Sequence, residues 1–235
     1  DLGLGKKNGG EYSLRADAGL DFGKFGDLRG GLLTQRRLPS LVQQGIQVSQ
    51  VPVYDNDFKK IIETTLAVSW AIPRLGFSVA GQNHLANNYI FFNKNQLPEQ
   101  LGSVLNVAQL IVNQRFRLRN WRLDNKLVFQ KTNQTDILHQ PEWATRNSLY
   151  FDGKIIHRRM NLAAGADFRL NQAFAADAWE PAVGQFFLQD QKVAAYPSVD
   201  VFAAMNVKNF RFFLRYENLS KYWEDHIFYQ TYRQP

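Results

Sequence analysis

Cysteine is absent from the 235 residues. That removes a disulfide framework, a thiolate metal site and a cysteine nucleophile. Nor does any stretch approach the ~18 uncharged apolar residues of a membrane-spanning helix. A helical membrane protein is thereby excluded. A barrel is not, because its strands need only ~9–11 residues with every second one apolar, so the negative mean hydropathy is no objection to one. Histidine is scarce and scattered. His84 and His139 fall in long connections, His157 in a basic turn and His226 near the end. No two stand at metal-ligand spacing and none accompanies a serine in a nucleophile motif, so no catalytic residue, metal or cofactor is expected. The opening DLGLGKKNGG has neither the Gly-Lys-Ser/Thr order of a phosphate loop nor an apolar leader. The expectation is that a leader has been removed or that these residues are internal to a longer protein.

What is present is charge without clustering and many aromatics. Twenty-eight Lys and Arg against 21 Asp and Glu leave +7. The basic residues recur at strand spacing and form no helical stripe, which argues against nucleic acid as a partner. Aromatics make up 14%, with 18 Phe, enough to ring a sheet.

Alternation with period two carries the fold. In PSVDVFAAMNVKNFRFFLRYENL (residues 197–219), a fold at Lys208-Asn209 sets Val207 against Phe210, Met205 against Phe212, Ala203 against Leu214 and Val201 against Tyr216. The opposite face pairs Asn206 with Arg211, Ala204 with Phe213, Phe202 with Arg215 and Asp200 with Glu217. The same rule holds around Pro73-Arg74, where Trp70 is expected to face Phe77 and Val68 to face Val79. Around Arg119-Asn120, Phe116 faces Leu123 on one side while Arg117 faces Arg122, Arg115 faces Asp124 and Asn113 faces Lys126 on the other. It holds again on either side of residues 156–159, with Leu149, Phe151 and Phe168 on one face and Asp152, Asp167 and Arg169 on the other. A further hairpin bends around Gly23–Asp27. One face is apolar, with Gln114 and Asn125 as the polar intrusion, and the other is mixed, which predicts an all-β antiparallel sheet.

A soluble sheet would bury the apolar face, and a membrane barrel would turn it to lipid. Loop lengths favour lipid. Each tight turn alternates with a long segment: 36–60, 82–103, 131–143, 171–197 and 218–235. Short turns at one rim and long loops at the other is the layout of outer-membrane barrels, whereas a sandwich has no reason to sort its loops. Phe22, Trp70, Phe77, Phe116, Trp121, Phe210 and Phe212 lie on apolar faces close to the tight turns, where an interfacial girdle would sit. The candidate pore lining is then Arg115, Arg117, Arg122, Asp124, Lys126, Asp152, Asp167, Arg169, Asp200, Arg211, Arg215 and Glu217. Asp200 and Glu217 form a like-charge pair that Arg215, diagonal to Asp200, relieves. Basic residues at the tight turns (Lys24, Arg74, Arg119, Arg158, Arg159, Lys208) suit anionic headgroups or simply turn solubility. The long-loop carboxylates Asp55, Asp57, Glu99, Glu142, Asp177, Glu180 and Asp190 are dispersed and read as solvated, although such groups can meet cations that bridge lipopolysaccharide.

DFGKFGDL (21–28), YDNDFKKI (54–61), the run from Ile72 to Gln100, SLYFDGKII (148–156) and above all Phe186–Leu219 resemble the β-barrel porin family of Bacteroidota. The resemblance marks turns, girdles and loops, not chemistry. It implies an integral outer-membrane barrel of a Gram-negative envelope, with long loops extracellular and short turns periplasmic. Its partners would be phospholipid, lipopolysaccharide and small polar solutes diffusing passively. The alternative is a non-conducting scaffold barrel that meets other outer-membrane or periplasmic proteins in a secretion or uptake machine. A soluble β-protein with an apolar ligand is a third reading. Residues 1–235 form one barrel domain of about ten strands. Family members are longer and close on a terminal aromatic strand, so the domain is expected to be incomplete at both ends.

Overall fold

The computed structural model describes residues 2–3, 10–48, 50–155, 160–181, 183–207 and 209–222. Ten long strands form one antiparallel meander in chain order. They are β1 (Glu11–Asp21), β2 (Asp27–Arg37), β3 (Ile61–Ile72), β4 (Phe77–Asn87), β5 (Leu105–Leu118), β6 (Trp121–Thr132), β7 (Trp143–Ile155), β8 (Met160–Asn171), β9 (Ser198–Val207) and β10 (Phe210–Tyr216). The pair Leu2–Gly3 adds along β1. At ~3.3 Å per residue a 12-residue strand is ~40 Å long. Tilted by ~45° it crosses ~28 Å, close to the ~30 Å hydrocarbon core of a bilayer. The turn through His157, Arg158 and Arg159, the turn residue Lys208, and the end of the chain with His226 lie outside the described residues.

Register follows the alternation. Val207 pairs with Phe210, Met205 with Phe212 and Ala203 with Leu214. Leu118 pairs with Trp121, Arg117 with Arg122 and Arg115 with Asp124. Arg119, at the start of that two-residue turn, takes a left-handed φ of 53°. One hairpin differs from expectation. Trp70 pairs with Val79 and Ile72 with Phe77, two residues away from the expected register. The cause is a 3-10 turn over Pro73–Leu75, closed by the Gly76 N–H donating to the Pro73 carbonyl. Pro73 starts that turn without an N–H to sacrifice. Gly76 then takes φ 62°, where a Cβ would lie 2.5 Å from the Arg115 carbonyl oxygen. Because the shift is even, every side chain keeps its face.

Accessibility along the strands is inverted relative to a water-soluble sheet. Leu118 and Leu214 are 73% exposed and Phe210 71%, while Asp167 is 5% and Asp200 1% exposed. Among the described residues, the buried apolar side chains are Ile61, Ala86, Ile90, Phe92, Leu105, Ala176, Ala178 and Leu188. All belong to the long loops or to the strand ends beneath them. No strand middle buries an apolar residue. Water would make such a surface costly, at ~25 cal/mol for each Å² of apolar area. Hydrocarbon makes it the favoured one. The seven expected girdle aromatics lie on this outward face or at its turn. Phe22 caps the turn at Gly23–Phe25, Trp121 meets Phe151 edge-on at 5.9 Å, and Phe210 stacks on Phe212 at 6.5 Å.

A charge placed on the outward face should therefore hinder folding where one removed from the other face does not. Phe212→Asp and Leu123→Asp are expected to lower stability in vesicles by up to ~2 kcal/mol. That is less than the ~2–4 kcal/mol of Arg or Lys at mid-bilayer, since a carboxylate near the interface costs less. Arg211→Ala and Lys126→Ala should fold like the wild type. Denaturant titration of folding into lipid vesicles checks both, and equal losses in the two sets would reverse the assignment of faces.

Candidate functional site

The polar face divides into two parts. From β3 to β6 a band of uncharged polar side chains crosses it. Thr65 bonds His84 Nδ1 at 2.8 Å, Gln82 donates to Gln109, and Gln109 donates to Gln130 at 2.9 Å. One carboxylate, Glu63, is held by Gln35 and by Arg37 at 3.0 Å. Across β6 to β10 the face is charged, and register sorts the charges into rows. One row runs Lys126, Arg146, Arg169. The next runs Asp124, Ser148, Asp167, Asp200, with Arg115 at its start. A third runs Arg117, Arg122, Tyr150, Gly165, Phe202, Arg215. Gly165 has no room for a Cβ, which would lie 2.4 Å from that of Tyr150. Tyr150 instead packs towards Phe202, ring centroids 6.0 Å apart.

The tightest cluster joins two rows. Asp167 and Asp200 are direct cross-strand partners, a like-charge arrangement that is destabilising by itself. Arg215 Nη2 donates to Asp200 Oδ2 at 2.6 Å and to Asp167 Oδ2 at 3.3 Å. Arg169 also holds Asp200, and the Asn218 backbone N–H donates to Asp200 Oδ1 at 2.9 Å. Ser148 Oγ donates to Asp167 Oδ1 at 2.6 Å, and Arg146 stands 3.6 Å from the other oxygen. Glu217 lies past the end of β10 and touches Arg215 Nε at 3.2 Å as an ion pair, not a hydrogen bond. The β9–β10 ladder ends at Val201–Tyr216, so the expected facing pair of Asp200 and Glu217 does not form in the ladder, while Arg215 meets both carboxylates and Asp167 pairs with Asp200 from the other side. β10 ends at Tyr216, and past that end the Asn218 N–H turns to donate to Asp200 Oδ1.

The other expected lining residues are spread along the same face. Arg115 Nε stands 4.0 Å from Asp124, and Arg122 stands 3.8 Å from Asp152. Arg211 Nε donates to Asn206 at 2.9 Å. Arg146, Ser148 and Tyr150 belong with them but were absent from the expected lining. The alternation already puts all three on the face of Asp152, so the signal was there to be read.

Above this wall the long loops are not simply solvated. They form short ribbons, 45–48 with 51–55, 90–92 with 98–100, 174–175 with 192–193 and 178–180 with 185–187. Leu188 N–H donates to the Phe92 carbonyl at 3.0 Å, and both side chains are buried. Burying two such side chains stabilises by ~1.5–3 kcal/mol each. The exposed Lys94–Asp190 pair at 2.6 Å adds ~0–1 kcal/mol. Packing therefore ties these two loops together more than charge does. His139 Nδ1 lies 2.8 Å from Asp177 Oδ1. Burial pushes the Asp177 carboxyl up, partly offset by His139, and the Tyr89 hydroxyl is raised by burial and by the Asp177 charge. Among the described residues no three His, Asp or Glu gather as metal ligands.

An antiparallel sheet with its apolar face outward and a hydrogen-bonded, charge-bearing face opposite defines the class of outer-membrane β-barrels. The family described as "Putative porin" matches over residues 1–235, and the chain belongs to it. Among solved structures the chain is similar to the ferric enterobactin receptor PfeA (G324V mutant) of Pseudomonas aeruginosa. Identity is 11% and the TM-score 0.59, over 88% of this chain and 34% of that one. It is also similar to the siderophore receptor PiuA of Acinetobacter baumannii, at 12% identity and TM-score 0.53 over 88% and 31%. The FrpB iron transporter of Neisseria meningitidis (F3-3 variant) gives 12%, 0.53, 88% and 40%. The chain thus spans between 31% and 40% of the length of these three proteins, and the likeness is one of fold. Nothing among curated proteins matches it.

Two outcomes test this geometry. Asp200→Ala leaves the Asn218 N–H without its acceptor and takes one of two carboxylate acceptors from Arg215, and should cost ~1.5–3 kcal/mol, the range for a hydrogen bond to a charged group. Urea unfolding from vesicles measures it, and a loss under ~0.5 kcal/mol, the level of an ordinary surface change, would contradict the cluster's role. For the loops, a carboxyl whose folded value is raised stabilises fully below its unfolded value. That contribution is lost as pH rises through the folded one. Hydrogen exchange of residues 174–193, corrected for intrinsic rates, should therefore quicken as pH climbs past the ordinary aspartate range. Asp177→Asn should flatten that rise.

Proposed function

We propose that this sheet is part of the wall of a water-filled pore through which small polar solutes diffuse passively. The observation that carries the reading is the inverted accessibility. A face that is apolar except for amides such as Gln114, Asn125 and Asn147 meets lipid, while the opposite face carries more cations than anions. Arg115, Arg117, Arg122, Lys126, Arg169, Arg211 and Arg215 stand against Asp124, Asp152, Asp167, Asp200 and Glu217. With Arg146 added, the surplus gives a mild preference for anions. The long loops face outward from the cell and the tight turns face the periplasm, where Lys24, Arg74 and Arg119 meet anionic headgroups. Outer-membrane lipid is then the constant partner. Among the described residues β10 pairs on one side only. Lipid does not tolerate such an edge, so further strands, from this polypeptide or another, complete the ring.

Tied loops at one rim also suit a narrow or non-conducting scaffold barrel within a larger outer-membrane assembly, and conductance separates the two readings. The intact protein in a planar bilayer should give ohmic steps. Its reversal potential in a potassium chloride gradient should be displaced towards that of chloride. Silent insertions of folded protein would favour the scaffold, and a cation-directed potential would contradict the charge assignment.

A further inference from the structure

We propose that Lys126 and Arg146, with Arg115 beside them, form a binding subsite for one small doubly charged oxyanion on the polar wall. The site rests on the reading of that wall as water-lined, and it goes further by assigning a place and a charge to the bound ion. Lys126 and Arg146 are direct cross-strand partners, which sets their Cα atoms ~4.5–5.5 Å apart. Arg115 lies diagonal to Lys126 across the β5–β6 pair, within reach of a long side chain. All three line a cavity of about 260 Å³ whose only carboxylate is Asp124. Two like charges side by side are destabilising unless a counter-charge comes between them, and the neighbouring acids provide it only in part, Asp167 at 3.6 Å from Arg146 and Asp124 at 4.0 Å from Arg115.

Asp124 is engaged elsewhere. Its Oδ2 accepts from the Tyr150 hydroxyl at 3.2 Å, and its Oδ1 stays 4.0 Å from Arg115. Asp167 is shared between Ser148, Arg215 and the more distant Arg146. Among the described residues the Lys126 ammonium has no ion pair or hydrogen bond within the wall, and Arg146 remains largely exposed. Arg169, third in the same row, differs because Asp200 holds it. The row is thus neutralised at one end and open at the other. Three cations line the cavity against one carboxylate, and Asp167, outside the lining, is shared by Arg146 and Arg215, so between one and two positive charges stay uncompensated, which a small dianion balances. The volume falls below the ~300–1,000 Å³ of pockets for drug-sized molecules and suits an ion. Arginine adds paired N–H donors and lysine a point charge, the usual combination for oxyanions.

Isothermal titration of the folded, detergent-solubilised protein with sodium sulfate, at constant ionic strength in chloride, tests the site. One sulfate per chain is expected. Lys126→Gln and Arg146→Gln should each weaken it at least tenfold, Lys126→Arg should restore it, and Arg211→Gln should leave it unchanged. Circular dichroism confirms that each variant is folded. Succinate and hydrogenphosphate in place of sulfate distinguish a general dianion site from a tetrahedral one, and either result keeps the subsite. In the bilayer, sulfate should reduce chloride current saturably in the wild type and not in Lys126→Gln. Sulfate binding without current would retain the subsite and remove the pore. Current without sulfate binding, or equal losses in Arg211→Gln, would overturn the subsite while leaving the pore.

Discussion

Hydrocarbon supplies neither a hydrogen-bond donor nor an acceptor, and that one constraint organises this molecule. The backbone answers with a ten-strand meander in which every neighbour in sequence is a neighbour in the sheet. The side chains answer by sorting with period two, apolar outward. Together these leave polar groups a single place to go. Apart from Arg36 and Lys131 at loop-side strand ends, the strands' charges are gathered on one face, where they meet each other or water.

That crowding explains why the two buried residues in the charged rows are aspartates. Asp167 and Asp200 face one another only because neighbouring strands place them there, and they persist because Arg215 reaches both. Arg169, Ser148 and the Asn218 N–H complete their shells. A buried charge pair is weak evidence for added stability, since desolvation offsets much of the attraction. Its value here is in register. A slip by one residue would turn both carboxylates to the outward face. The uncharged glutamines of β4 to β6 run across the other part, so the wall is chemically uneven.

The loops obey the opposite rule, because water surrounds them. There the familiar arrangement returns. Ile90, Phe92 and Leu188 are buried, charged Lys94 and Asp190 are exposed, and short ribbons satisfy the backbone. The chain therefore uses two solvent logics within a few residues, changing over near Ile61, Ala86 and Leu105, the buried strand ends beneath the loops.

Alternation along the chain was enough to determine the strands, their two faces and most pairings. Each side chain's face depends only on parity, which even the two-residue shift at Pro73 left untouched. Loop lengths and aromatic placement then pointed to lipid. What parity cannot supply is which residues meet across a non-sequential distance. Asp200 opposite Asp167, Arg215 bridging them, and Phe92 joined to Leu188 each depend on register summed over several strands or on loops folding over a rim. The sequence alone paired Asp200 with Glu217, because hairpin logic extends a ladder past the point where β10 stops. Sidedness is local and repeats every second residue. Charge compensation and loop packing are set by distances in space, and only the tertiary structure decides those.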